Sequence, residues 1–243
     1  MNKINELKKM IDESNYIVAF TGAGISTDSG LKDFRSNNGL YKENNTYPAE
    51  YMLSSNCFYT HIKEFYEYYK DNFNCLDIKP NTTHKLLKKL ESIGKLKAII
   101  TQNIDGLHTK AGSNNVYEIH GTINKNHCIK CNKEYDAKYV FNSKDVPKCS
   151  CGGIIKPNVV LYGELLPDIE YTEALKHLDK ADMLIVCGSS LTVFPAAGMV
   201  SNFRGKYLVI INNDKTPYDT IANLVINDNL AKVSEELMKM MEE

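Results

Sequence analysis

The chain has 243 residues, of which 43% are apolar and 24% are charged, and its formal net charge is −1. This length suits one large domain, or one domain that carries a smaller inserted module. A net charge so close to zero gives no broad basic surface, so we expect no nucleic-acid partner. No apolar run approaches the roughly 20 residues of a membrane-spanning helix, so we expect no membrane partner.

Apolar runs and helical periodicities alternate along the chain. Ile4, Leu7 and Ile11 recur at helical spacing and predict a first helix. Aromatic residues predict a helix over 58–76, Asn81 is the predicted cap of the next helix, and a closing helix carries residues 233–241. Strands are predicted at 17–20, 96–100, 116–119, 183–187 and 207–211.

Strands that alternate with helices predict an α/β fold, in which helices cover both faces of one parallel sheet. A polar cluster follows each predicted strand: Thr21-Gly22, Thr101-Gln102-Asn103, His120-Gly121, Gly188-Ser189 and Asn212-Asn213. Ligands bind such sheets at the carboxyl ends of the strands, so we expect these clusters to meet in one crevice. The pattern is interrupted over 123–156, which we interpret as an inserted module.

Gly22 and Gly24, directly after the first strand, allow the backbone to approach a pyrophosphate. The third glycine of the usual dinucleotide motif is replaced by Thr27, and no acidic ribose ligand follows about 20 residues on. These departures disfavour a hydride-transferring dehydrogenase, and both a nucleotide site and a simple tight turn remain open. Further along, Arg35 can pair with phosphate and Phe34 can cover a ring.

Four cysteines in the interrupted segment have the spacing of a metal site: Cys128, Cys131, Cys149 and Cys151. Four thiolates leave a zinc ion no open coordination position, so this pattern predicts a structural Zn²⁺. His127 is a rival ligand, and four unrelated core cysteines are the alternative. A nucleic-acid zinc ribbon is a further alternative, although the segment lacks interleaved exposed aromatics. Seven cysteines in all, without a secretory signal, predict reduced thiols and a cytoplasmic location.

Two strand ends carry candidate catalytic groups. His120 ends a strand, and a neutral imidazole is a competent general base near pH 7. Gln102, Asn103 and Asp105 suit hydrogen bonding to a ribose and an amide. A structural role for His120 and helix capping by Asp105 are the alternatives.

Taken in order along the chain, these segments resemble the sirtuin family, the NAD-dependent protein-lysine deacylases. The resemblance covers nearly the whole chain. The matching segments are Gly22-Ala23-Gly24-Ile25-Ser26, Gly30-Leu31-Lys32-Asp33-Phe34-Arg35, Thr101-Gln102-Asn103-Ile104-Asp105-Gly106-Leu107-His108, His120-Gly121, the four cysteines, Tyr162-Gly163-Glu164, Gly188-Ser189-Ser190-Leu191 and Ile211-Asn212.

The resemblance implies a Rossmann-like NAD-binding domain formed by residues 1–35, 77–122 and 157–243. A helical insert (36–76) and a zinc module (123–156) would form a small domain. The implied cofactors are NAD and Zn²⁺, and the implied partners are acyl-lysine protein substrates.

The family's functional residues map onto matching positions of this chain. The implied catalytic residues are His120 and Asn103. The implied cofactor-binding residues are Ala23, Thr27, Phe34, Arg35, Gln102, Ile104, Asp105, His120, Ser189, Ser190, Asn212, Asn213, Asp228 and Leu230. The implied substrate-binding residues are Tyr66, Tyr69, Val160, Tyr162, Gly163 and Glu164, of which the last four match a strand that pairs with peptide backbone.

Desuccinylating relatives place a tyrosine and, three residues later, an arginine in the acyl pocket. Here Tyr66 is present, but Tyr69 stands in the arginine position. We expect both phenols to border the acyl pocket and to disfavour succinyl by roughly a hundredfold, because its carboxylate would be unpaired. The implied activity is therefore NAD-dependent deacetylation. Protein ADP-ribosylation and a preference for longer neutral acyl chains remain alternatives.

Overall fold

The computed structural model of the protein describes residues 2–36, 38–42 and 47–242. The strands are β1 (Ile17–Thr21), β2 (Leu96–Thr101), β3 (Val116–Glu118), β4 (Gly121–Cys128), β5 (Glu134–Asp136), β6 (Ile155–Val159), β7 (Met183–Cys187), β8 (Tyr207–Ile211) and β9 (Leu224–Ile226). The helices are α1 (Lys3–Glu13), α2 (Ala49–Met52), α3 (Ser55–Thr60), α4 (Ile62–Phe73), α5 (Thr82–Ser92), α6 (Leu107–Lys110), α7 (Ala137–Phe141), α8 (Asp168–Lys180), α9 (Gly198–Asn202) and α10 (Leu230–Met240).

Six parallel strands form the main sheet, in the order β3-β2-β1-β7-β8-β9. All five residues of β1 are buried, as are all five of β7, which pairs with it. Near-continuous apolar runs are typical of parallel strands covered on both faces. The predicted α/β class with a parallel sheet is confirmed.

Alternate residues of β1 enter different hydrophobic clusters, as the two-residue period of a strand requires. Ile17 and Ala19 pack with residues of α1, α5 and α10, whereas Val18 and Phe20 pack with residues of α8 and α9. Helices therefore cover both faces of the sheet. The predicted cap is also present, because the Asn81 side chain accepts hydrogen bonds from the first backbone N–H groups of α5.

A second, antiparallel sheet has the order β5-β4-β6. It shares a hydrophobic cluster with the helices of the preceding insert, and that cluster draws its buried residues from 40–75 and 123–161. The helix predicted over 58–76 is in fact two helices, α3 and α4, because His61 takes a non-helical backbone with φ −134° and ψ 56°. The division into two domains at the predicted boundaries stays a prediction.

Among the described residues, no helix is both long enough and apolar enough to cross a membrane.

Candidate active site

A cavity of about 720 Å³ lies at the carboxyl ends of the main-sheet strands and extends to the segment after β6. This is the expected position for a ligand of a parallel α/β sheet. Most of the predicted site residues line it: Ala23, Phe34, Arg35, Gln102, Asn103, Ile104, Asp105, His120, Val160, Tyr162, Gly163, Glu164, Ser189, Ser190 and Asn212. Four of the five polar clusters contribute lining residues, and Ala23 and Gly24, directly after the fifth cluster Thr21-Gly22, line the cavity as well.

The loops after β1 and β7 meet backbone to backbone. Gly24 N donates to Gly188 O at 2.8 Å, and Gly22 N donates to Cys187 O at 3.1 Å. Gly188 has φ +61°, and a Cβ there would lie 2.4 Å from Ile25 N. Glycine is needed at this position both for its backbone conformation and for the close approach of the two loops. The contact leaves the backbone of both loops at the surface of the cavity.

Three side chains after β1 and β2 form one hydrogen-bonded network. Asn103 Nδ2 donates to Ser26 Oγ at 3.0 Å, and Ser26 Oγ donates to Asp105 Oδ2 at 2.7 Å. The other oxygen of Asp105 accepts from Leu107 N, the first residue of α6, at 2.8 Å. Burial raises the pKa of the Asp105 carboxyl, and these donors act in the opposite direction. The network fixes the amide of Asn103 at the cavity wall.

Gln102 connects three strand ends. Its backbone carbonyl lies 3.0 Å from His120 Nδ1, and its side-chain Oε1 accepts from Ser189 Oγ at 2.7 Å. Since a carbonyl can only accept, His120 carries its proton on Nδ1, and Nε2 is left with a lone pair.

The environment of His120 keeps its imidazole neutral. Burial lowers the pKa of His120, while the hydrogen bond to the Gln102 carbonyl acts in the opposite direction. A neutral ring with a fixed tautomer presents Nε2 as a proton acceptor. His120 therefore has the protonation state that a general base requires.

An aromatic wall joins the two ends of the cavity. The Phe34 ring lies 5.4 Å from that of Tyr41 and 6.5 Å from that of Phe73. The guanidinium of the exposed Arg35 lies 5.1 Å from the centroid of the Tyr41 ring. Tyr41 Oη also lies 2.5 Å from Tyr162 Oη. Tyr41 thus connects the loop that carries Phe34 to the segment after β6.

Most backbone N–H groups of the segment 160–164 already have partners within the chain. Val160 N donates to His120 O at 2.8 Å, Tyr162 N to Leu53 O at 3.0 Å, and Glu164 N to Leu161 O at 2.9 Å. Strand pairing with a peptide stays a prediction for this segment. It would have to use Gly163 and the remaining carbonyl groups.

The four predicted metal ligands come together beside β4 and β6. Their sulfur atoms all lie within 4.8 Å of one another, with Cys128–Cys151, Cys131–Cys149 and Cys131–Cys151 separations of 3.5, 3.6 and 3.4 Å. Zn–S bonds of about 2.3 Å in a tetrahedron would place the sulfurs roughly 3.8 Å apart. All four cysteines are free thiols, so the cluster fits a closed zinc site.

The surroundings of the sulfurs also fit a metal-bound thiolate cluster. Lys130 N lies 3.4 Å from Cys128 Sγ, and Cys151 N lies 3.5 Å from Cys149 Sγ, so backbone donors face the sulfurs. The rival ligand His127 is outside the cluster, because its Nδ1 pairs with Asn158 Oδ1.

Comparison with known proteins decides the family. The family model described as "Sir2 family" matches residues 22–195. The chain belongs to the Sir2 family. It is 52% identical to an NAD-dependent protein deacetylase of Clostridium acetobutylicum, over 98% of this chain and 99% of that protein. It is also 52% identical to one of Clostridium perfringens, over 96% of this chain and 97% of that protein.

Solved Sir2 structures share the whole fold. One, of a Sir2 variant with a deacetylated p53 peptide and 3′-O-acetyl ADP-ribose, gives a TM-score of 0.90 at 40% identity, covering 98% of each chain. Another, a Sir2 enzyme with a p53 peptide and NAD⁺, gives 0.86 at 40% identity, with the same coverage of each chain. The predicted sirtuin resemblance is therefore confirmed.

In this Sir2-family chain, four predicted cofactor-binding residues lie outside the lining of the cavity: Thr27, Asn213, Asp228 and Leu230. The Thr27 hydroxyl donates to Gly24 O at 3.0 Å. Asp228 pairs with Lys232 at 2.7 Å, and Leu230 is buried at the start of α10. Residues 214–217, in the segment after β8, do line the cavity, although sequence reasoning did not single them out.

Neither Tyr66 nor Tyr69 is among the residues that line the cavity, and their contact with an acyl group stays a prediction. Tyr66 donates to Ile155 O, and Tyr69 is fully buried, with its ring stacked on Phe65, Phe73 and Phe141. The two phenols belong to the core that joins α4 to the zinc-binding sheet. Their position in the structure therefore gives no support to the expected discrimination against succinyl.

Sequence reasoning also missed lining residues that have no polar motif. Tyr41 and Phe73 supply the aromatic wall, and residues 192–195 line the cavity with the largely exposed Phe194. For Phe73 a signal was available, since it belongs to the aromatic face of the predicted helix.

Proposed function

We propose that this chain is an NAD-dependent protein-lysine deacetylase, which transfers the acetyl group of acetyl-lysine to ADP-ribose and releases nicotinamide. The observation that carries the proposal is His120, a neutral base whose tautomer is fixed by Gln102 in a cavity that Asn103 and Ser189 also line. The curated relatives with this activity match nearly the full chain at 52% identity.

The cavity residues fit NAD. Ala23, Gly24 and Gly188 line the cavity, so the backbone of the loops after β1 and β7 can face a pyrophosphate. Ser189, Ser190 and Asn212 offer hydroxyl and amide groups. Ala23, Phe34, Arg35, Gln102, Ile104 and Asp105 would complete the NAD site. When bound, NAD supplies an electrophilic ribose carbon with nicotinamide as its leaving group.

The chain's own residues then have defined tasks. His120 Nε2 accepts a proton from a ligand hydroxyl, while Nδ1 stays bonded to the Gln102 carbonyl. Asn103, held by Ser26, orients polar groups of the ligand. Val160, Tyr162, Gly163 and Glu164 belong to the face that acyl-lysine protein substrates would approach. One solved relative is bound to a propionylated peptide, so neutral acyl chains longer than acetyl belong in the substrate panel.

The four cysteines would hold a structural Zn²⁺ and not a catalytic one, since a tetrahedral four-thiolate site has no open position. A cytoplasmic location is part of the proposal, because a zinc–thiolate cluster needs reduced cysteines.

Tracing label from NAD tests the activity directly. With NAD labelled in its adenylate half and an acetyl-lysine peptide, we expect the label in acetyl-ADP-ribose. Label transferred to protein at the rate of turnover would instead favour a protein ADP-ribosyltransferase.

Replacement of the base tests the mechanism. His120→Ala should lower deacetylation roughly a hundredfold or more, because it removes the proton acceptor. His61→Ala is the matched control, since His61 lies between α3 and α4 and its ring is hydrogen-bonded to the Tyr51 hydroxyl. Full activity in His120→Ala would remove His120 from the mechanism.

A further inference from the structure

Lys156 lies on β6, between the cysteine cluster and the cavity. Its Nζ lies 3.1 Å from Glu164 Oε2, and the side chains are 10% and 27% exposed. The same Nζ lies 3.4 Å from the carbonyl oxygens of Pro157 and Val159, and 5.9 Å from the centroid of the Phe58 ring. A charge buried to this extent depends on its partner, because an unpaired buried charge is strongly unfavourable.

Glu164 connects this pair to the turn that faces the cavity. Its Oε2 also accepts from Leu161 N at 3.0 Å, so the carboxylate closes the turn on itself. Leu161, Tyr162 and Gly163 all line the cavity, and Gly163 has φ +91°. The carboxylate was predicted to bind substrate, but its contacts show that it is engaged within the protein.

Backbone hydrogen bonds hold the same turn on its other side, where Tyr162 N donates to Leu53 O and Ser55 N donates to Tyr162 O. Tyr162 forms an isolated parallel bridge with Ser54, and its phenol meets that of Tyr41. The residues at the NAD end, such as Gln102 and Ser189, are held by the loops of the main sheet instead. The Lys156–Glu164 pair therefore acts on the peptide end of the cavity.

We propose that Lys156 is a positioning residue for the acyl-peptide: its ion pair with Glu164 fixes the turn 160–164 in the form that receives the peptide. This inference rests on the deacetylase function proposed above.

The test compares KM for an acetyl-lysine peptide with KM for NAD in Lys156→Met, Lys156→Arg and Glu164→Gln. For Lys156→Met we expect the peptide KM to rise at least about tenfold and the NAD KM to change by less than about twofold, because misplacement of a positioning group acts on the ligand it orients. Lys156→Arg keeps the cation, so both of its KM values should remain close to those of the unsubstituted protein. Glu164→Gln keeps an acceptor for Leu161 N, so an intermediate rise is expected.

A control comes from an ion pair on the surface, Lys176–Glu173, with side chains 59% and 44% exposed. Lys176→Met should leave both KM values unchanged. Melting temperature and zinc content establish that each variant is folded, and Glu164→Gln decides the question if Lys156→Met does not fold.

Two results would overturn the inference: an unchanged peptide KM in a folded variant, or an equal rise in both KM values. Fluorescence anisotropy of a labelled acetyl-lysine peptide gives a readout that needs no turnover. If the unsubstituted protein binds the peptide but does not deacetylate it, the proposed function fails, while the anisotropy of the variants still tests the turn.

Discussion

At the scale of single residues, the backbone constrains the site in two ways: it fixes the protonation of one side chain and excludes a side chain at another position. The Gln102 carbonyl fixes the tautomer of His120, and burial makes the charged ring unfavourable. The backbone of the loop after β1 leaves no space for a side chain at Gly188. Each of these constraints has a measurable consequence.

The first consequence is the pH dependence of catalysis. The pKa of His120 lies below its ordinary value of 6.5. The proposed mechanism requires the neutral ring. We therefore expect kcat/KM to be level near neutrality and to fall about tenfold per pH unit only once the pH drops below this lowered pKa. A pH–rate profile measures this directly.

A neighbouring carboxyl supplies the control for that profile. Burial raises the pKa of Glu118 to about 7, so its ionisation falls in a different window. The fall in kcat/KM at low pH should persist in Glu118→Gln. If kcat/KM instead falls around pH 7, and this fall disappears in Glu118→Gln, the assignment to His120 is contradicted.

The second consequence concerns Gly188. Gly188→Ala adds a Cβ that would lie 2.4 Å from Ile25 N, in addition to the cost of φ +61°. Gly94→Ala is the matched control, because Gly94 has φ +75° with nothing within 4 Å of the added Cβ. The control should lose about 1–2 kcal/mol of stability from its backbone conformation alone.

Gly188→Ala should lose more stability than the control and should also weaken NAD binding, because the two loops must separate. Thermal melting and NAD titration measure the two effects. If the two variants lose stability equally and Gly188→Ala keeps its NAD affinity, this account of the loop contact is contradicted.

At the scale of elements, α4 presents its aromatic face to the core. Tyr69→Arg should therefore not create a desuccinylase. The guanidinium would be buried without a partner among Phe65, Phe73 and Phe141, and a buried unpaired charge costs several kcal/mol. We expect little folded protein and no gain in activity on succinyl peptides.

Tyr59→Arg, on the neighbouring α3, is the control, since Tyr59 is 65% exposed and should tolerate the change. Circular dichroism and an acyl-peptide panel measure the outcome. A stable Tyr69→Arg protein that removes succinyl would mean that this side chain does reach the acyl site.

The strand β4 connects the metal cluster to the proposed general base. It begins at Gly121, next to His120, and ends at the ligand Cys128. We expect one zinc per folded chain. Cys128→Ala should abolish zinc binding, loosen β4 and β6, and lower activity indirectly, because metal binding is part of the folding free energy of such a module.

Metal analysis, limited proteolysis and activity measure these effects. The control Cys57→Ala removes a buried thiol of α3 outside the cluster and should keep its zinc. Well under one zinc per chain in folded, active protein would rule out the closed site.

At the scale of the whole molecule, the sequence predicted what depends on local pattern. The apolar run 183–187 is typical of a strand buried on both faces, and the cysteine spacing predicted the cluster. What the sequence did not give depends on long-range packing. The period of α4 placed Tyr66 and Tyr69 on one face, but it could not say whether that face met the cavity or the core. The Lys156–Glu164 pair was missed because neither spacing nor composition marks a buried ion pair.

The position of β1 in the middle of the sheet has a consequence for synthesis. The strand 17–21 leaves the ribosome early, yet its two neighbours are residues 96–101 and 183–187. One edge can therefore pair only after residue 101, and the other stays open until residue 187, when about three quarters of the chain has been made. The site cannot assemble before then. Pairing at such separations is slow, and open apolar edges favour aggregation. Lower temperature, at which hydrophobic association weakens, should consequently raise the soluble yield of this protein.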